Sequence, residues 1–115
     1  MRQSIKIKSN LDARKSTTQL LDYASCTKVS GLTELVRERM FYWATQLYSD
    51  LLRYHDYHGD ITTPEEFRCA MVALREVEVV LPGTDVAEFA TRKYKNAEER
   101  AREVGRRNLL AVLPQ

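Results

Sequence analysis

Residues 32–54 read LTELVRERMFYWATQLYSDLLRY, and this stretch carries the strongest structural signal in the chain. Its apolar residues recur every three or four positions, which is the spacing of one face of an α-helix. They are Leu32, Leu35, Val36, Met40, Trp43, Leu47, Leu51 and Tyr54. A second stripe beside the first consists of Phe41, Ala44, Tyr48 and Leu52. Because the two stripes together are wider than a surface helix needs, we expect a long central helix, buried on two sides or shared between two subunits.

A short helix is predicted before the central one. Residues 16–19, Ser-Thr-Thr-Gln, form a capping box, with a hydroxyl at the N-cap and an amide three positions later. We expect this helix to end near Ser25 or Cys26, so that residues 26–31 form a connector to the central helix.

Two further helices are predicted after the central one. Thr63 at the N-cap and Pro64 at the first helical position begin one of them, and residues 81–83, Leu-Pro-Gly, stop it. The other runs from Val86 to about Leu110, and its small alanines indicate close approach to another helix. The prediction is therefore an all-α fold of about four helices, with a short first helix and a long central one.

The N-terminal segment has a different pattern. Ser4-Ile-Lys-Ile-Lys8 alternates polar and apolar residues, which is typical of a short strand or an extended arm. A single strand of this length is not stable alone in water, so it needs a partner strand. We predict one domain over residues 1–115, in which residues 1–15 form a basic arm or strand and residues 16–113 form the helical body.

Composition narrows the class of protein. The chain has 115 residues, 13.3 kDa, 43% hydrophobic and 30% charged residues, values typical of one soluble globular domain. No apolar run reaches the ~20 residues of a membrane-spanning helix, and the N-terminus lacks the apolar core of a secretory signal. The two cysteines, Cys26 and Cys69, are too few for a disulfide framework. We expect a cytoplasmic protein in which both thiols are small buried hydrophobes.

Motifs that carry chemistry are sparse. The chain contains no Gly-rich phosphate loop, no G-x-S-x-G motif and no H-E-x-x-H motif, so we expect neither an enzyme nor a cofactor. The densest polar cluster contains His55, Asp56, His58 and Asp60. Imidazole and carboxylate ligands suit zinc, but a polar helix end explains the same residues. We favour the helix end and predict no metal site, with the metal as the open alternative.

Charge is spread unevenly along the chain. Residues 1–30 carry six basic and two acidic side chains, and residues 31–84 carry five arginines against nine acids. Residues 85–115 carry seven basic and five acidic side chains. Two basic ends around an acidic middle favour a surface that faces a polyanion or an acidic partner. The alternative is that the ends pack against the chain's own middle.

The order strand, short helix, turn and longer helix over residues 4–48 resembles the ribbon-helix-helix family. The resemblance implies a dimer whose paired N-terminal strands enter the major groove of duplex DNA. Ser4, Lys6 and Lys8 would then contact bases. Ser30, at the turn before the longer helix, would clamp a phosphate.

Two functions follow from these patterns. The first is a non-enzymatic helical protein-interaction module: an adaptor, inhibitor or assembly factor, of the kind that plasmids and phages encode. It would use the aromatic face of the central helix, with Phe41, Trp43, Tyr48 and Tyr54 as contact residues, because aromatic side chains dominate interface energetics. The alternative is a small dimeric DNA-binding protein with a basic N-terminal ribbon. Both functions imply self-association, and we expect a homodimer.

Overall fold

The chain forms an all-α fold. The structure is a computed structural model that describes the backbone of residues 2–56 and 64–103 and the side chains of residues 14–52 and 65–103. Over these ranges it contains no strand and four α-helices, which are α1 (Arg2–Ser30), α2 (Glu34–Asp56), α3 (Pro64–Val80) and α4 (Asp85–Glu103). The predicted fold class is confirmed, and the predicted central helix is the unbroken α2.

Helix α1 differs from the prediction at both ends. Residues 4–8 belong to this helix, where the alternating pattern predicted a strand or an extended arm. A helix satisfies its backbone hydrogen bonds within the segment, whereas a five-residue strand needs a second strand, so a short alternation is a weak signal. The helix also continues past Ser25 and Cys26 to Ser30, through residues that were predicted to be a connector.

Three residues, 31–33, form the turn between α1 and α2. Gly31 has φ of 78°, and its N–H donates to the carbonyl of Thr27 at 3.0 Å, which closes the C-terminus of α1 with a left-handed residue. The side-chain oxygen of Thr33 then accepts the N–H of Val36 at 3.2 Å and caps α2. The three-residue connection makes α1 and α2 an antiparallel hairpin.

The turn between α3 and α4 lies where the sequence predicts a stop. Pro82 precedes Gly83, whose φ is 81°, and the N–H of Thr84 donates to the carbonyl of Leu81 at 3.3 Å. This combination is typical of a type II turn. Thr84 is the N-cap of α4, because its side-chain oxygen accepts the N–H of Ala87 at 3.2 Å.

The two hairpins pack side by side and point the same way. Helix α1 contacts α3, and α2 contacts α4, whereas α1 and α4 do not touch within the described backbone. Arg37 pairs with Asp85, and one turn further along both helices Phe41 meets Phe89, so α2 and α4 run parallel. An ion pair of 3.1 Å between Arg14 Nε and Glu66 Oε2 joins α1 to α3. Both hairpin turns therefore lie at one end of the molecule.

The core draws on all four helices. Its large fully buried side chains are Leu20, Met40, Leu47, Leu51, Phe67, Met71, Leu74, Val77 and Val86. Helix α4 contributes mostly alanines, because Ala87, Ala90, Ala97 and Ala101 are all buried. The predicted close approach at these alanines is confirmed. Within the described ranges, no helix combines the length and the hydropathy needed to cross a bilayer.

Candidate interaction faces of helix α2

Helix α2 offers two different flanks, and the predicted contact residues are divided between them. Phe41 and Tyr48, two helical turns apart, lie on the flank that meets α4. Trp43 lies on the opposite flank, beside α1. Tyr54 belongs to α2, but its side chain is outside the described part of the chain. The aromatic residues therefore lie on two flanks of α2, because residues two positions apart on a helix point in nearly opposite directions. Their contacts with a partner stay a prediction.

The flank toward α4 carries aromatic rings that remain half-buried after folding. Phe41 and Phe89 meet edge to face, with ring centroids 5.0 Å apart and planes at 64°. Tyr48 continues the row along α2. We call Arg37, Phe41, Tyr48, Phe89 and Lys93 the aromatic ladder.

Cations lie on the rings of the ladder. The guanidinium of Arg37 is 5.1 Å from the centroid of Phe41. The Lys93 ammonium is 4.7 Å from the ring of Tyr48 and 5.0 Å from that of Phe89. At partly exposed sites each such contact contributes about 0.5–1 kcal/mol. The ladder is therefore a surface that is both aromatic and cationic.

One end of the ladder is held by an ion pair between the two hairpins. Arg37 Nε donates to both carboxylate oxygens of Asp85, at 3.2 and 2.9 Å, and its Nη2 also contacts Oδ2. These hydrogen bonds lower the pKa of Asp85 from its ordinary value. They also raise the pKa of Arg37, and Coulomb attraction to the same carboxylate adds to that effect.

The other flank of α2 forms a polar cleft with α1. The cleft has a volume of about 450 Å³. The residues that line it are Lys15, Ser16, Tyr42, Trp43, Gln46, Ser49 and Asp50. We call it the α1–α2 cleft. Its lining is polar, because it contains a carboxylate, hydroxyls, an amide and an ammonium group.

A buried polar pair forms part of the cleft lining. Ser16 Oγ donates a hydrogen bond of 2.9 Å to Asp50 Oδ2. Ser16 is 3% exposed and Asp50 is 6% exposed, so this carboxylate lies almost wholly beneath the surface. Buried carboxylates are uncommon, because burying an ion is costly without hydrogen bonds or a counter-charge.

Two aromatic residues line the same cleft. The rings of Tyr42 and Trp43 meet edge to face with centroids 4.9 Å apart. The Lys15 ammonium lies 5.8 Å from the centroid of the Trp43 ring. The cleft thus combines two aromatic rings with one ammonium group and one carboxylate.

The sequence patterns did not identify Ser16 and Asp50 as a site. A usable signal was present, because Asp50 lies between Leu47 and Leu51 on the apolar stripe of α2. Ser16 likewise lies four residues before the fully buried Leu20 on the buried face of α1. Polar residues in register with buried apolar residues are expected to be buried with them.

The predicted nucleic-acid contacts lie on α1. Ser30 is its last residue, and its Oγ donates to the carbonyl of Cys26 at 3.1 Å. Residues 31–33 separate it from the start of α2, so Ser30 directly precedes the turn, and its phosphate contact stays a prediction. Ser4, Lys6 and Lys8 belong to α1, but their side chains lie outside the described part, and their DNA contacts stay predictions.

The remaining candidate residues are the histidine and aspartate cluster near the end of α2 and the two cysteines. His55 and Asp56 end α2 with side chains outside the described part, and His58 and Asp60 lie outside it altogether. Among the described side chains, no group of three or more histidines, cysteines and acids forms a metal-binding cluster. Both thiols are exposed, so the prediction that they are buried is wrong. Both cysteines lie on outward-facing positions of their helices. A single cysteine in an amphipathic pattern does not show whether its side chain faces the core or the solvent.

The chain matches no protein-family profile, no curated protein and no solved structure. The proposals below therefore rest on the two flanks of α2 and on the chemistry of the side chains there.

Proposed function

We propose that this chain is a non-enzymatic protein-interaction module that binds its partner through helix α2. The carrying observation is that aromatic side chains remain accessible after the chain has folded. Tyr42 is 52% exposed, and Phe41, Trp43 and Tyr48 are half-buried. Aromatic residues of this kind, surrounded by polar groups, supply most of the binding energy of protein interfaces. An adaptor, an inhibitor or an assembly factor would use such a surface.

A second copy of the chain is the partner to test first. Leu35, which is 60% exposed, lies two helical turns before Tyr42 and on the same side of α2. Together they give one side of α2 two exposed apolar side chains, with the exposed charged residues Glu38 and Arg39 between them. A homodimer would bury both side chains by packing α2 against its symmetry mate.

Light scattering over a range of protein concentrations tests this function. We expect the wild type to approach twice the chain mass, and the double variant Leu35→Ser/Tyr42→Ser to remain at the mass of one chain. Val79→Ser is the matched control, because Val79 is 71% exposed but lies on α3. It should associate as the wild type does.

A heterologous partner requires a second readout. Tagged wild type, the double variant and the Val79→Ser control would be used to capture proteins from the native host. A partner specific to α2 should be retained by the wild type and the control and lost by the double variant. The proposed function is contradicted if the wild type stays a monomer and captures nothing that depends on Leu35 and Tyr42.

Duplex DNA is the second candidate partner. It is favoured by the excess of basic side chains in residues 1–30. All of these basic residues belong to α1, which begins at Arg2. Binding of this kind weakens steeply with salt, because counterions are released from the phosphates. A mobility-shift titration with random duplex DNA at two salt concentrations should show this loss. If the Lys6→Ala/Lys8→Ala variant binds DNA as tightly as the wild type, the predicted contacts of Lys6 and Lys8 with DNA are contradicted.

A further inference from the structure

We propose that the middle of the aromatic ladder binds a single carboxylate side chain of a partner protein, in a segment where apolar residues flank that acid. This inference rests on the proposed function and gives the partner a chemistry. Three features carry it. They are a half-buried ammonium group without an acidic partner among the described side chains, the apolar rings around it, and the acidic side chains at both ends of the ladder.

The ammonium group of Lys93 supplies the charge. It lies 4.7 Å from the ring of Tyr48 and 5.0 Å from the ring of Phe89. Among the described side chains no carboxylate pairs with it. The rings attract the ammonium through their π electrons but carry no negative charge, so the charge of Lys93 remains uncompensated. Its three N–H donors can therefore serve a carboxylate from outside.

The sequence of α4 explains why Lys93 has no acidic partner within its own helix. On a helix, side chains three and four positions apart are neighbours. At these distances from Lys93 the chain has only apolar or amide side chains, which are Phe89, Ala90, Asn96 and Ala97. By contrast, Arg102 on the same helix pairs with Glu98 at 3.4 Å. Across the groove, α2 presents the ring of Tyr48 to Lys93.

The rings favour an acid with apolar neighbours. Phe41 and Phe89 meet edge to face with centroids 5.0 Å apart, and both remain half-buried after folding. A carboxylate that reaches Lys93 is partly shielded from water by these rings, so it is attracted more strongly than by a fully exposed lysine. The uncovered parts of the rings offer apolar surface to the residues beside the acid. The site therefore suits an aspartate or glutamate between apolar residues.

Acidic side chains at both ends of the ladder limit the charge of the partner. At one end, Asp85 forms the ion pair that joins the two hairpins. At the other end, Glu99 and Glu103 line a cavity of about 340 Å³ in which the only basic lining residue is Arg100. A nucleic-acid strand carries charges along its whole length and would meet these carboxylates, and like charges repel. A single carboxylate at the middle of the ladder avoids them, so a protein segment is favoured over a nucleic acid.

Selection from a library of random displayed peptides tests this chemistry on the full chain. We expect the selected peptides to contain an aspartate or glutamate beside apolar residues. Synthetic copies would carry a dye, and their affinity would be measured by fluorescence polarisation. Replacing the acid of the peptide by its amide, which has nearly the same shape but no charge, should weaken binding at least about fivefold.

Variants of the chain test the contact from the other side. Lys93→Met keeps an unbranched apolar stem without the charge and should weaken binding at least about fivefold. Lys93→Arg keeps the charge and should bind as the wild type does. Lys95→Met is the matched control, because it makes the same change on the same helix at an exposed residue that lines the groove between α3 and α4. It should leave the affinity unaltered.

Four results would overturn the inference. They are a selection that yields no peptide dependent on Lys93, selected peptides without an acid, equal affinity of a peptide and its amide analogue, and displacement of the peptide by a random single-stranded oligonucleotide. The amide comparison needs no protein variant, so it remains decisive if circular dichroism shows that Lys93→Met is unfolded.

The outcomes also separate this inference from the proposed function. If peptide binding does not depend on Lys93 while partner capture still depends on Leu35 and Tyr42, only the ladder proposal falls. If the peptides require Lys93 but the Leu35/Tyr42 double variant behaves as the wild type, only the proposed function falls.

Discussion

Threonine side chains begin two of the four helices. Thr33 caps α2 and Thr84 caps α4, each by accepting a backbone N–H three residues ahead at 3.2 Å. Thr84 also donates to the carbonyl of Leu81 at 2.8 Å, so one hydroxyl serves both the turn and the helix that follows it. Single hydroxyls at these positions therefore stabilise the first turns of α2 and α4.

Replacing Thr84 with alanine should destabilise the protein. We expect Thr84→Ala to lower the free energy of unfolding by about 1 kcal/mol, because the first turn of α4 loses its capping oxygen. Thr45→Ala is the matched control, since the Thr45 hydroxyl only donates to the carbonyl of Phe41 within α2 at 2.9 Å. Urea denaturation measures both, and a larger loss for Thr45→Ala would contradict the capping role.

Asp85 should make stability depend on pH. Its pKa in the folded chain is lowered, chiefly by the hydrogen bonds from Arg37, so its contribution is fully present above the unfolded pKa of about 3.9. The contribution disappears as the pH falls through the lower, folded value. We expect Asp85→Asn to be less stable than the wild type at pH 7, by a small amount because the pair is exposed. Urea curves should converge toward pH 2, and a gap that widens in acid would refute this explanation.

Helix α4 packs by close approach of its backbone to its neighbours. Ala87, Ala90, Ala97 and Ala101 are at most 1% exposed, so a larger side chain has no space to enter. We expect Ala90→Leu to lower the free energy of unfolding by about 1–3 kcal/mol, because the added atoms must displace packed neighbours. Arg92→Leu places the same residue on the exposed face of α4 and should change stability by less than about 0.5 kcal/mol. Equal losses for the two variants would show that helix propensity, and not space, is responsible.

The helices differ in how far the sequence reveals them. Helix α2 was predictable because Met40, Leu47 and Leu51 repeat at helical spacing and all are buried. The α3–α4 turn was predictable because Pro82 and Gly83 favour one backbone geometry. Helix α1 was predicted wrongly over residues 4–8. The first half of this helix has few apolar residues, and the alternation of polar and apolar residues at 4–8 indicated a strand instead.

The candidate site was predictable only in part. Aromatic residues on α2 were predicted to contact a partner, and that role stays a prediction, but their division into two flanks depends on which helices pack on either side. Trp43 lies against α1 and Phe41 against α4, and that arrangement is a tertiary property. The pairing of Ser16 with Asp50 joins residues 34 positions apart, which no local pattern encodes.

The four helices share one core, and this has a consequence for unfolding. Leu20 from α1, Leu47 from α2, Phe67 from α3 and Val86 from α4 are all fully buried in the same cluster. Separating the hairpins would expose apolar surface on both, so neither hairpin is expected to persist without the other.

Unfolding should accordingly be a single cooperative transition. Far-UV circular dichroism follows all four helices, whereas Trp43 fluorescence follows only the α1–α2 hairpin. We expect urea curves from the two methods to superimpose, with the same midpoint and slope. A fluorescence midpoint that differs from the circular dichroism midpoint would indicate that the hairpins unfold independently.

The outward-facing thiols equip each hairpin with a separate chemical handle. Cys26 belongs to α1 and Cys69 to α3, and both can be reached by a maleimide reagent while the chain stays folded. A donor and an acceptor dye on these two sulfurs would act as a ruler between the hairpins, with no mutation required. The dye-labelled wild-type sequence can thus report whether binding of another molecule increases the distance between the two hairpins or leaves it unchanged.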